Sequence, residues 1–113
     1  MDKEKLKEYI ALLPSRITVT TTRTDQGLYA KVEELPHCYT QADTLVELIE
    51  MLNDAMFCYL DIPEEYHSAL GFYVPAKFIE EVRASRWQDA ISEMLRDEFV
   101  QSPSVYNRVE VQA

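Results

Sequence analysis

Residues 16–60 decide the fold of this chain. They read Arg16-Ile17-Thr18-Val19-Thr20-Thr21-Thr22-Arg23, then Thr24-Asp25-Gln26-Gly27, then Leu28-Tyr29-Ala30-Lys31-Val32-Glu33-Glu34. Leu35-Pro36-His37, Cys38-Tyr39-Thr40 and a long run from Thr44 to Leu60 follow. In the first run Ile17, Val19 and Thr21 alternate with Thr18, Thr20 and Thr22. Nearly every residue is β-branched, so the run predicts a strand of period two. Asp25 and Gly27 suit a tight turn. In the next run Leu28, Ala30 and Val32 take one face and Tyr29, Lys31 and Glu33 the other, which completes a hairpin. Pro36 ends the second strand. Cys38-Tyr39-Thr40 predicts a short third. Thr44 and Glu47 stand at capping-box spacing, with Asp43 beside them. Behind them Leu45, Leu48, Ile49, Leu52, Met56 and Tyr59 recur at helical spacing from about 44 to 60, and Ile62-Pro63 stops the helix. A helix with one apolar stripe is suited to cover one face of an antiparallel sheet.

On the N-terminal side, Leu6, Tyr9, Ile10 and Leu13 predict a short amphipathic helix that Pro14 ends. On the other side, Asp61 to Ser68 reads as a polar connection. Leu70 to Val74 reads as a fourth strand bounded by Pro75. From Ala76 the period is helical, first through Phe78, Ile79 and Val82, then through Trp87, Ile91, Met94, Leu95 and Phe99. A break near Ala84-Ser85 separates the two, and Ser102-Pro103 ends the second. Val105 to Val111 is either a last strand or a frayed tail.

The chain has 113 residues, enough for one domain that needs no disulfide or metal to fold. Its 20 Asp and Glu against 11 Lys and Arg leave a net charge of −9. Such a surface repels nucleic acid and anionic membrane and suits a basic partner. No apolar run approaches the roughly 20 residues of a membrane span. No apolar leader follows Met1-Asp2-Lys3-Glu4-Lys5, so the expectation is a reduced, cytoplasmic, soluble protein. Two glycines exclude a Gly-rich phosphate loop.

Few groupings suggest catalysis. His37 and Cys38 are adjacent, so in an extended segment they point apart and make a poor nucleophile–base pair. Cys58 sits in a core helix and reads as a small hydrophobe. His67 with Asp61, Glu64 and Glu65 lacks a metal-ligand spacing and reads as a solvated acidic loop. Glu80, Glu81, Asp89, Glu93, Asp97 and Glu98 mostly fall off the apolar stripe, where a solvated helix face puts its charges. Tyr29, Tyr39, Tyr66 and Tyr73 are either interface anchors or core rings.

The stretch Gly27 to Leu45 resembles the signature of the HicB-like antitoxin family. That signature is a strand with an aromatic then a small residue, a Leu-Pro-Gly-Cys turn, a Thr, and a Gly-Asp-Thr helix cap. Tyr29-Ala30, Leu35-Pro36, Cys38, Thr40 and Asp43-Thr44 match in order and spacing. The preceding hairpin and the helix ending Cys58-Tyr59-Leu60 match as well, so the likeness covers about residues 16–75. His37 and Ala42 stand where the family usually has Gly, and a positive φ at either would strain a residue that carries a Cβ. Family members often continue into a ribbon-helix-helix or helix-turn-helix segment. Phe72-Tyr73-Val74-Pro75 and the two helices behind it loosely resemble the former, with Tyr73, Lys77, Arg83 and Arg86 as candidate DNA contacts. The acidic tail opposes that use.

The resemblance implies an α+β fold, with an antiparallel sheet of β-β-β-α-β order under one long helix, a partial RNase H-like fold without catalytic carboxylates. The expected units are an N-terminal helix (1–15), that domain (16–75) and a helical extension (76–113). The implied role is non-enzymatic, with no cofactor and no metal: binding a small basic HicA-like toxin ribonuclease, often as a homodimer or higher oligomer. Candidate partner contacts are Asp25, Tyr29, Glu33, Glu34, Leu35 and His37. The alternative is an orphan scaffold that regulates transcription, or an inhibitor or subunit of another nucleic-acid-handling complex.

Overall fold

The computed structural model describes residues 2–96 and 102–110. Helix α1 (Lys3–Leu12) starts at Asp2, whose carboxylate accepts the Glu4 and Lys5 N–H groups at 2.9 and 3.3 Å. Strands β1 (Arg16–Thr24), β2 (Gly27–Val32) and β3 (Tyr39–Ala42) follow as an antiparallel meander. Helix α2 (Leu45–Tyr59) is capped by Thr44, whose hydroxyl accepts the Glu47 N–H at 3.2 Å. Then come a one-turn helix α3 (Glu64–His67), strand β4 (Phe72–Pro75), a 3-10 turn (Ala76–Phe78), α4 (Ile79–Arg83), α5 (Trp87–Arg96) and strand β5 (Ser104–Val109). Among the described residues no helix is long and apolar enough to cross a membrane.

The architecture is α+β, with a curled five-stranded antiparallel sheet in the order β3-β2-β1-β5-β4. Period-two alternation sends Ile17, Val19, Leu28, Ala30 and Val32 inward to full burial, and leaves Thr22, Tyr29 and Lys31 exposed. Helix α2 buries Leu45, Leu48, Ile49, Leu52, Met56 and Phe57. It touches β2 and both edge strands, β3 and β4, so the sheet curls around it.

The residues after 75 do not form a separate tail. Strand β5 inserts between β1 and β4, pairing Ile17 with Tyr106 on one side and Val74 with Asn107 on the other. The 16–75 sheet is therefore incomplete without the C-terminal strand, and of the two readings of residues 105–111 the strand holds through Val109. Pairing between segments about ninety residues apart leaves no local signature. The polar connection after Asp61 holds α3, because Pro63 precedes a first turn of Glu64 and Glu65 and Tyr66 is buried edge-on against Tyr9, with ring centroids 4.9 Å apart. The break between α4 and α5 falls at Ser85, in the left-handed region at φ 59°. Phe99, Asp97, Glu98 and Val111 lie outside the described residues.

Asn53 is the buried polar residue of α2. Its Oδ1 accepts the Tyr73 N–H at 2.6 Å, and its Nδ2 donates to the Tyr73 carbonyl at 3.0 Å and to the Ile49 carbonyl at 2.8 Å. One amide thus stands in for the next strand along the outer side of β4. Tyr73 is fully buried, and its hydroxyl donates to the Pro14 carbonyl.

Replacing Asn53 by Leu is expected to destabilise the fold by about 2–4 kcal/mol, because both Tyr73 backbone groups stay buried without partners; urea unfolding measures it. Burial pushes the Tyr73 phenol up to about 12, opposed by the nearby Arg108 guanidinium, and pushes Tyr106 up as well. A phenol raised in the folded state contributes stability that is complete below its ordinary value near 10 and is lost as pH rises toward 12. The urea midpoint is therefore expected to fall over that window, and less steeply in Tyr73→Phe.

Candidate functional site

Residues 33–38 form a compact turn between β2 and β3. The Leu35 N–H donates to Val32 O at 3.3 Å, the Cys38 N–H to Leu35 O at 3.1 Å and the Val32 N–H to Cys38 O at 2.9 Å. His37 sits at φ 66°, the left-handed backbone that a glycine would adopt freely, while its side chain faces solvent. Cys38 is buried, and burial raises its thiol pKa, so it acts as an apolar plug. Leu35 packs against the core. The second departure resolves differently. Ala42 is a buried strand residue, and the conformational demand lies across the ladder at Gly27 (φ 117°), where a Cβ would stand 2.6 Å from the Ala42 carbonyl oxygen.

The turn acids are tied to β1. The Glu34 carboxylate accepts the Thr18 N–H at 2.8 and 3.0 Å, replacing a ladder bond where β2 turns away. Glu33 accepts the Thr20 hydroxyl at 2.6 Å. Beside them, exposed Tyr29 and Tyr39 stack with centroids 6.1 Å apart, next to Lys31. Glu33, Glu34, Leu35 and His37 therefore lie together in the turn at the end of β2, while Tyr29 stands four residues back along the strand, stacked on Tyr39. Asp25 does not join them: it lies in the β1–β2 turn, eight residues of extended chain or roughly 25 Å from Glu33. Tyr39, which the sequence leaves as either an interface anchor or a core ring, is exposed beside Tyr29.

The candidate DNA contacts differ in their exposure. Tyr73 is sealed in the core, and β4 is hydrogen-bonded into the sheet, so it is not a free ribbon. Lys77 is exposed, its Nζ 5.0 Å from the Phe78 ring centroid. Arg83 is exposed at the end of α4, and Arg86 lies 3.9 Å from Asp89.

Elsewhere, His67 bonds the Ile62 carbonyl at 2.8 Å and packs on Phe57. Cys58 is exposed, not buried as expected, because it falls off the stripe of Leu52, Met56 and Phe57. Among the described residues no three His, Cys, Asp or Glu side chains converge as a metal group. The periodicity also gave no sign of a groove of about 550 Å³ between α2, β4 and α5, where Phe72 and the half-exposed Trp87 meet the acids Glu50 and Asp54. Trp87 at the start of an amphipathic helix was the available clue. No family model, curated protein or solved structure gives a significant match to this chain.

His37→Gly is expected to stabilise the protein by about 0.5–1 kcal/mol, since the glycine takes the same backbone without a Cβ clash. Thermal or urea unfolding reads the sign, and a loss of stability would show that the imidazole contributes more than the strain removes.

Proposed function

We propose that this chain is a HicB-like, non-enzymatic antitoxin that binds and masks a small basic toxin ribonuclease. The observation that carries the reading is the residue 33–38 turn. It keeps a left-handed backbone at His37, where the resembled family has Gly, and buries the following Cys. The partial RNase H-like likeness belongs to the same proposal. It is supported by the β-β-β-α-β chain order through β4, although β5 stands between β1 and β4 in the sheet. The net charge of −9 supports the sign of the partner, because opposite charges steer association. In this reading the docking face is the exposed outer sheet around Tyr29, Tyr39 and Glu33. Glu34, committed to the Thr18 N–H, holds the turn in shape. The groove flanked by Glu50, Asp54 and Trp87 is a second place where a cationic side chain finds carboxylates and an aromatic face.

The test is to co-express the chain with small basic proteins encoded beside it and to measure complex formation and relief of toxicity. A complex is expected whose association slows several-fold between low and physiological salt, and slows further in Glu33→Lys. A complex insensitive to salt and to charge reversal, or no neighbour bound at all, would overturn the proposal.

A further inference from the structure

The groove between α2, β4 and α5 has a volume of about 550 Å³. Small-molecule sites run from about 300 to 1,000 Å³, whereas a protein partner needs roughly 800 Å² of surface on each side. Helix α5 begins at Trp87, two residues after the left-handed Ser85, and the indole centroid lies 5.1 Å from that of the Phe72 ring. Ile49, Ile91 and Met94 continue the apolar wall. Trp87 stays 40% exposed against that wall and so keeps an aromatic surface free for a ligand. Glu50 and Asp54 stand one helical turn apart on α2 and line the same groove. Both are exposed, and among the described residues neither carboxylate has an ion-pair or hydrogen-bond partner. Asn53, between them, has its amide spent on Ile49 and Tyr73. The charged side chains lining the groove are thus two carboxylates with no cation beside them.

We infer that this groove is a binding site for a small organic cation, an ammonium or guanidinium group carried on an apolar body. The lining selects that chemistry by elimination. An anion is repelled by Glu50, Asp54 and the net charge of −9. A neutral apolar molecule covers the wall but strips water from the carboxylates and returns no donor to them. A bare metal ion leaves the aromatic wall unused, and among the described residues no three ligating side chains converge to hold one. An organic cation answers both halves of the groove. Its head donates to the carboxylates, and its body covers Phe72 and Trp87, where an ammonium beside an indole also gains cation–π attraction. A lysine or arginine of a protein partner carries the same head group. The bounded size of the groove favours the free molecule, and the test separates the two sources. The exposed Tyr29–Tyr39 pair lies on the opposite face of the sheet, so the inference stands whether or not a basic toxin docks there.

Trp87 is the only tryptophan of the chain, so its fluorescence reports on the groove alone. The full chain is titrated with phenethylammonium, and with phenethyl alcohol and phenylpropionate as its neutral and anionic counterparts. A saturable change is expected with the ammonium only, with a Kd of roughly millimolar order for so small a probe. The double variant Glu50→Gln, Asp54→Asn is expected to keep the circular dichroism of the parent and to bind about tenfold more weakly or worse. Glu93→Gln, which removes an exposed acid of α5 outside the groove, is expected to bind as the parent does. An equal response to the alcohol, a titration unchanged in the double variant, or no saturation with the ammonium overturns the inference. Saturation by a tetralysine peptide where the ammonium gives none also overturns it, and assigns the groove to a protein side chain. None of these outcomes bears on toxin neutralisation, which is read by co-expression.

Discussion

A curled antiparallel sheet that does not close into a barrel has two rows of backbone groups with no neighbouring strand, and each must be satisfied or left to a partner. In this protein α2 reaches both edge strands and satisfies backbone groups on one of them, β4. It starts directly after β3 and, further along, touches β4, where Asn53 supplies both a donor and an acceptor to Tyr73. A buried amide with its donors spent on Ile49 O and Tyr73 O is stable only if α2 keeps its register against the edge. That fixes the helix over the sheet, and with it the curl that brings β5 between β1 and β4. The turn at His37 and the outer face of Tyr29 and Tyr39 are held by the same frame, since β2 and β3 pack beneath α2.

The parts of this frame that were legible in the sequence are those governed by local periodicity. Alternation in β1 and β2, the Thr44 cap, the α2 stripe and the Ser85 break all follow from side-chain spacing over a few residues. What was not legible is pairing at a distance. β5 reads poorly because its inward positions are Ser104, Tyr106 and Arg108, two of them polar, so its alternation does not look like a core strand. Its place is set by Tyr106, fully buried opposite Ile17 and Pro75. Asn53 was hidden for the converse reason: a polar residue inside an apolar helix looks like a surface position until the strand that needs it is known.

The same division applies to the site. The turn residues were found because they are consecutive, and chain neighbours stay neighbours. Asp25 was grouped with them through the hairpin, yet the two ends of an extended strand lie far apart. Glu33 and Glu34 were expected to offer their charge to a partner, and the structure shows them bonded to β1. A carboxylate accepting a backbone N–H keeps its charge while losing its freedom. It can still contribute to the field that steers a cation, but not by reaching out to form a new contact.

That distinction bears on how an acidic surface works in a binding protein. Long-range attraction depends on net charge and its distribution, which survive when each carboxylate is internally bonded. Affinity at contact depends on groups that desolvate well against the partner, and exposed aromatic rings on a rigid sheet do so at small entropic cost. The outer face of this protein holds both kinds of group: acids bonded to β1 at the turn, and an exposed stacked tyrosine pair on β2 and β3. His37 keeps its left-handed backbone inside the turn that returns the chain from β2 to β3, and the Val32 N–H to Cys38 O bond closes that turn.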